Sequence, residues 1–383
     1  MKFRFLCSGE SHGKALNAII DGVPANFDIS VEEINNQLAR RQQGYGRGGR
    51  MKIESDTVEV NSGIRFGKTT GAPIALEVKN KDFVNWTKTM SVSQLSEGEL
   101  IDVDLKQITK LRPGHADYGG AIKYNQSDVR NILERSSARE TAIKVAVGSI
   151  AKQILSKFDI SVTSKVISIG SIEADDLYGN QDNDLNCPDV EAYGKMKAEI
   201  DKAAEQGVTL GGKIRLEVSN VPVGLGTHIQ WDKKLDGLLA QALMSIQAVK
   251  SVEIGLGRAS ATLSGDKVHD EMFFENGKIC RKTNNAGGIE GGMSNGETIV
   301  ATIAMKPIPT MRTPLQSVDL IDKSAQTAHF ERSDTCAVPA CGVVAEAMCA
   351  IVILQQFLEK FGGDSYEEIF TNYTNYLKMV AER

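Results

Sequence analysis

The residues Phe3-Arg4-Phe5-Leu6-Cys7-Ser8-Gly9-Glu10-Ser11-His12-Gly13-Lys14-Ala15-Leu16-Asn17-Ala18-Ile19-Ile20-Asp21 read as strand, turn, strand. Phe3 to Cys7 and Leu16 to Asp21 are apolar enough for short strands, and Gly9 to Gly13 is a polar turn between them. Val58 to Ile64 and Ile74 to Val78 repeat the arrangement around Gly67-Lys68-Thr69-Thr70-Gly71. Strands that succeed one another without a helix between them pair antiparallel. The pattern predicts a mostly antiparallel sheet in an α/β (α+β) chain.

Helical stretches fill the gaps. Ser30 with Glu33 reads as a capping box, and Val31, Ile34 and Leu38 mark one helical face. Asp128 to Ile150, Leu235 to Val249 and Ala340 to Phe361 are expected as further helices, and Ser161 to Ile169, Lys213 to Val218 and Glu297 to Met305 as further strands. Lys81 to Lys110 reads as a polar surface excursion, and the acidic Ile172 to Gln206 as a mobile or peripheral segment. No low-complexity linker divides the 383 residues, so residues 1–383 are read as one large domain.

Composition narrows the function classes. A net charge of −5 argues against a generic nucleic-acid binder. The six cysteines form no C-x-x-C pair, which fits a reducing cytoplasm, and the five histidines show no metal-ligand spacing. The first residues offer no signal-like apolar stretch. The greasy run Val343 to Leu354 is too short for a bilayer span and is broken by Glu346, so it is expected to be a buried helix, with a subunit contact as an alternative use.

Against that background one run is unusual. Arg40-Arg41-Gln42-Gln43-Gly44-Tyr45-Gly46-Arg47-Gly48-Gly49-Arg50 packs four arginines and four glycines into eleven residues, with no acid until Glu54. Such a run suits a small anion, because bare backbone comes close and guanidinium forks bind carboxylate or phosphate at two points. Arg112-Pro113-Gly114-His115-Ala116-Asp117 sets an imidazole in a loop beside charges, and imidazole suits proton transfer near neutral pH. Arg135-Ser136-Ser137-Ala138-Arg139-Glu140 suits phosphate contacts, or a solvated helix face with Glu140 paired to Lys144. The glycine-rich Asn284 to Gly296 is either a flexible loop or a phosphate cradle, but it is no P-loop. Gly9-Glu10-Ser11-His12-Gly13 matches a hydrolase elbow only superficially, since it follows a single strand.

Taken in order, these segments closely resemble the chorismate synthase family over nearly the whole chain. The resemblance is carried by Gly9 to Gly13, Asp21-Gly22-Val23-Pro24, Arg40 to Met51, Ser62-Gly63 with Thr70-Gly71, Arg112 to Asp117 and Arg135 to Thr141. It continues through Val252-Glu253-Ile254-Gly255, Asn285-Ala286-Gly287-Gly288, Gly291-Gly292, Lys306-Pro307 and Arg332-Ser333-Asp334. No family motif falls in Ile172 to Gln206.

The resemblance implies a β-α-β sandwich assembled as a homotetramer. It implies conversion of 5-enolpyruvylshikimate 3-phosphate to chorismate by a 1,4-elimination of phosphate that needs reduced FMN. By family position, His12 would protonate the departing phosphate, His115 would attend the flavin, and Asp334 would help take up the ring proton by way of the flavin. Arg41, Arg47, Arg50, Arg112 and Arg139 would bind the substrate anions. The implied FMN contacts are Arg135, Ser136, Ser137, Gln247, Ala248, Gly291, Lys306, Pro307, Ile308, Pro309, Thr310 and Arg332. Arg41 and Arg47 are also the positions linked to NADP, so NADPH or a separate flavin reductase would supply the reduced cofactor. The expected partners include neither nucleic acid nor membrane.

A rival reading is a non-catalytic binder of RNA or anionic metabolites through the Arg/Gly run. It requires one basic face with aromatic stacking residues. The enzyme reading requires instead that the histidines, Asp334 and the scattered arginines converge on one pocket.

Overall fold

The computed structural model describes residues 3–48, 55–104, 107–275, 277–329 and 333–383. Strands Arg4–Ser8, Ala15–Asp21, Ile74–Lys79 and Val58–Ser62 lie side by side in that order, each antiparallel to its neighbour. Alternation decides which face is covered: Leu16, Ala18 and Ile20 of one strand and Ile74, Leu76 and Val78 of the next all point inward. A second antiparallel sheet runs Val249–Ile254, Ile299–Met305, Gly212–Ser219, Ser161–Ile169, Ile172–Glu173. Its inward set includes Val162, Val166, Ile214, Leu216, Ile299 and Ile303.

Helices fill the space between the sheets. Thr141–Ser156 packs on the first sheet, Val338–Phe361 packs on the second, and the two helices pack on each other. They cross closely at Gly148, where a Cβ would lie 2.3 Å from the Ala347 Cβ. The architecture is therefore an α+β sandwich with a helical middle layer.

Val338–Phe361 is longer than the apolar run in the sequence suggested, and its 24 residues are long and apolar enough to cross a membrane. Nearly all of it is instead buried between the layers. That burial corrects the idea of Val343 to Leu354 as a subunit contact. Glu346, 1% exposed in this helix, is the charge that broke the apolar run. It accepts from Arg40 at 2.9 and 3.0 Å, from Lys152 at 2.7 Å and from Ser164 at 2.8 Å. Arg40 is thus a structural member of the Arg/Gly run, tying helix Val31–Gln42 to the core.

Other expectations need correction. The capping box is half formed: the Ser30 hydroxyl accepts from the Glu33 N–H, but the Ser30 N–H donates to Gln153 and the Glu33 carboxylate accepts from Gln37. The Asp128 to Ile150 pattern breaks into Arg130–Ser136, a short 3-10 turn at Ala138–Glu140, and Thr141–Ser156, because Ser137 is extended at ψ 142°. Leu235–Met244 ends early, and Val249 opens a strand. The acidic segment, expected as mobile or peripheral, carries a helix that packs by one face. Asp189 caps helix Val190–Gln206, with its carboxyl held down to about 2 by the backbone N–H groups of Ala192, Asp176, Asp175 and Glu191. Met196 and Ile200 of that helix are buried.

Candidate functional site

The layers leave a cavity of about 860 Å³ along one end of the middle helices. That lies toward the upper end of the roughly 300–1,000 Å³ usual for small-molecule sites. Its wall includes Arg41, Arg47, Arg112, Arg139, His115 and Asp334, brought from four separate stretches of chain. Ser136, Ser137, Gln247, Ala248, Lys306, Ile308, Pro309 and Thr310 also line it. Of the described part of the Arg/Gly run, Arg41, Arg47 and Gly48 line this cavity, while Arg40 turns to Glu346.

Each arginine of the wall is locked by an acid. Arg41 Nη2 and Arg139 Nη1 both donate to Asp56 Oδ2, at 2.9 and 2.5 Å. Burial pushes the Asp56 carboxyl up, but the Arg139 and Arg41 guanidinium groups outweigh it and hold the group below the usual carboxylate range. Arg112 forms a two-point pair with Asp117, 2.8 Å on each arm. Arg47 Nη1 lies 3.0 Å from Asp334 Oδ2, and the Gly48 N–H donates to Asp334 Oδ1 at 2.7 Å. The forks are thus oriented before any ligand arrives.

The glycines of the run allow close packing. Gly46, at φ 85°, sits where a Cβ would meet Ile200 at 2.9 Å and Cys336 at 3.1 Å. Its carbonyl accepts from the Thr335 and Cys336 N–H groups, which anchors the Asp334 loop beside Arg47. The acidic segment holds the other side: the Tyr45 hydroxyl donates to Asp201 at 2.8 Å, and the Tyr45 N–H donates to the Asp184 carbonyl at 3.0 Å.

His115 lies with Nδ1 3.3 Å from the Pro113 carbonyl and Nε2 3.3 Å from the Thr310 hydroxyl. Burial, then the Arg112 charge, lowers the imidazole below its ordinary value against the pull of Asp117. A neutral ring that can accept a proton is the result. Lys306, held down by burial and by Lys250, donates to the Gly114 carbonyl at 2.7 Å. Ala248 is left-handed at φ 68°, a strained backbone of the kind that marks functional walls.

Buried polar atoms are left over here. The Nε atoms of Arg41 and Arg139 and the Oε1 of Gln247 have no hydrogen-bond partner in the protein. Such groups are costly unless a ligand meets them. Gln247 spends its amide N–H on Glu140 at 2.7 Å, and Glu140 pairs with Lys144 at 2.6 Å inside the structure rather than on a solvated face.

Some expected residues stand apart. His12, 7% exposed, is not among the residues lining the cavity, while its neighbour Ser11 lines it and accepts from the Ser137 hydroxyl at 3.2 Å. Arg135 is off the wall, donating to the Cys7 and Gly9 carbonyls, because the break at Ser137 separates it from Arg139. Pro307 and Gly291 do not line the cavity, and the Asn284 to Gly296 loop folds over Lys234 and Leu235 instead. Arg50 and Arg332 lie outside the described residues. Three participants were not foreseen: Asp56, Glu134 and Trp86. Asp56 lies two residues past Glu54, which ends the acid-free run, and Trp86 is one of only two tryptophans, set in a stretch otherwise read as surface.

Comparison with known proteins gives a consistent picture. The sequence model of the family described as chorismate synthase matches residues 3–358. A protein named chorismate synthase from Geobacter metallireducens is 53% identical, covering 98% of this chain and 99% of its own. One of the same name from Aquifex aeolicus is 51% identical, covering 98% of each. A crystal structure described as chorismate synthase aligns over 100% of this chain and 99% of its own, with a TM-score of 0.80 and 42% identity.

Proposed function

The chain belongs to the chorismate synthase family, and from that premise we propose that it is a carbon–oxygen lyase making chorismate from 5-enolpyruvylshikimate 3-phosphate, the last step of the shikimate pathway to the aromatic amino acids. In this 1,4-elimination the C–O bond to phosphate breaks, a ring C–H gives up its proton, and a new C=C forms with no net redox change. The observation that carries the reading is the convergence of Arg41, Arg47, Arg112, Arg139, His115 and Asp334 on one cavity.

A substrate with one phosphate and two carboxylates calls for several pre-aimed forks, and the four arginines supply them. The pairing acids keep those forks in place when the cavity is empty. His12, next in the chain to Ser11 of the wall, gives the departing phosphate its proton. His115 is held neutral beside Thr310, ready to accept or return a proton. Asp334, beside Arg47, serves the ring proton. A bound substrate displaces water from around the developing charge.

The residues present fit FMN. The unpartnered Gln247 amide oxygen, the Ser136 and Ser137 hydroxyls, Lys306 and the Ile308 to Thr310 run would hold it. When bound, reduced FMN supplies an electron-rich ring that assists loss of phosphate. Arg135 and Gly291 gain no support as contacts from their places in this chain. Arg41 and Arg47 serve the substrate in this reading. NADPH-driven flavin reduction by the purified protein would add a second role for them, and its absence would assign that step to a separate flavin reductase. A cytoplasmic homotetramer is the assembly the family suggests, and a solution mass of four chains tests it.

The deciding experiment gives the purified protein reduced FMN and 5-enolpyruvylshikimate 3-phosphate without oxygen. Chorismate is the expected product. Its absence, with flavin demonstrably bound and reduced, would sink the proposal.

A further inference from the structure

His12 is gripped by groups that no family motif singled out. Its backbone N–H donates to Glu134 Oε2 at 2.7 Å, and its ring Nδ1 lies 2.8 Å from Glu134 Oε1. Glu134 is 3% exposed, and its Oε1 also accepts from Arg130 at 3.1 Å. On the ring's flat side the Trp86 indole stacks at 3.8 Å between centroids, inclined by 27°. Trp86 is itself fixed, donating from Nε1 to Asp82 at 2.9 Å, with the Arg130 guanidinium 5.1 Å from its ring.

A carboxylate accepts hydrogen bonds and cannot donate them, so the proton between Glu134 and His12 sits on Nδ1. Burial pushes the Glu134 carboxyl up, but its bonds with His12 and the nearby Arg130 charge outweigh that and hold it low. It therefore stays an acceptor at neutral pH. With Nδ1–H fixed, Nε2 alone can gain or release a proton.

We propose that Glu134 and Trp86 are positioning residues for His12: Glu134 fixes the Nδ1–H tautomer and makes Nε2 the proton-transfer atom, while Trp86 holds the ring plane. The claim about turnover rests on His12 being the acid of the proposed reaction. The claim about the tautomer does not.

The test therefore has two arms. In the first, the full chain is labelled with 15N-histidine, and the His12 signal is assigned by its loss in His12→Gln. Spectra are taken on the alkaline side of the ring's own titration, where one proton remains. The expected result is an Nδ1-protonated ring in the wild type, and a large share of Nε2-protonated ring in Glu134→Gln. An Nε2-protonated ring in the wild type would overturn the proposal, and this arm needs no variant to fold. In the second arm, anaerobic turnover with reduced FMN is compared across variants. Glu134→Gln should lower kcat at least about tenfold with KM within about threefold. Trp86→Ala should do the same, and Trp86→Phe, which keeps a stacked ring, should recover most of the rate. Wild-type kcat in Glu134→Gln would refute the positioning role. An inactive wild type with the Nδ1–H tautomer would instead refute the proposed function.

Discussion

Asp56→Asn is the most informative single change. Asp56 Oδ2 takes hydrogen bonds from two buried arginines, Arg41 and Arg139, whose side chains are 7% and 9% exposed. The amide keeps the shape but removes the only carboxylate that pairs them among the described residues. Leaving buried charge without its partner costs about 3–5 kcal/mol. Unfolding entropy of about 2.1 cal/mol/K per residue gives about 0.8 kcal/mol/K for 383 residues, so Tm should fall by about 4–6 °C. A phosphate dianion in the cavity restores negative charge beside the two forks. Inorganic phosphate at a hundred times the variant's Kd should return about 2.7 kcal/mol, or about 3 °C, and less to the wild type at the same concentration. Thermal unfolding followed by circular dichroism, with and without phosphate, reads both effects. A Tm within about 1 °C of wild type, or a phosphate response no larger than the wild type's, would refute the view that Asp56 balances a site built for an anion.

Three further outcomes follow from the same structure. Gly148→Ala places a methyl 2.3 Å from the Ala347 Cβ, forcing the two central helices apart; a loss of about 1–3 kcal/mol in chemical denaturation is expected. Glu346→Gln breaks the buried link to Arg40 and Lys152 and should cost about 3–5 kcal/mol at neutral pH. Burial pushes the Glu346 carboxyl up, yet Lys152 and Arg40 hold it below its ordinary value in the fold. Its stabilisation is therefore complete above the unfolded value near about 4.3 and is lost as pH falls through the depressed folded value, so variant and wild-type stabilities should converge under acid. Tyr45→Phe removes the hydrogen bond to Asp201 and loosens the turn carrying Arg47; KM for substrate should rise several-fold, with Tm lowered by about 1–2 °C.

The layers were legible because strand alternation and the strand-turn-strand succession are local signals. Leu16, Ala18 and Ile20 announce an inward face without any tertiary knowledge. Helix ends were not legible in the same way. Ser137 breaks a continuous apolar period by turning extended, and that turn separates Arg135 from Arg139. The cavity arginines stood out by composition, but Asp56, the acid that Arg41 and Arg139 share, did not. Asp56 lies 83 residues from Arg139, and Glu134 lies 122 residues from His12, so no window along the chain shows either pair. Trp86 was hidden by its polar neighbours, although a tryptophan in a polar stretch was itself a signal. Arg40 misled for the opposite reason, since it belongs to the Arg/Gly run yet serves Glu346 in the core.

In the proposed reaction this basic cavity performs an elimination in which flavin is returned unchanged. Counting phosphate, chorismate and oxidised flavin together in one anaerobic reaction tests it most directly. One phosphate per chorismate is expected over many turnovers, with the flavin still reduced at the end. Phosphate released without chorismate, or one flavin oxidised for each product formed, would contradict it.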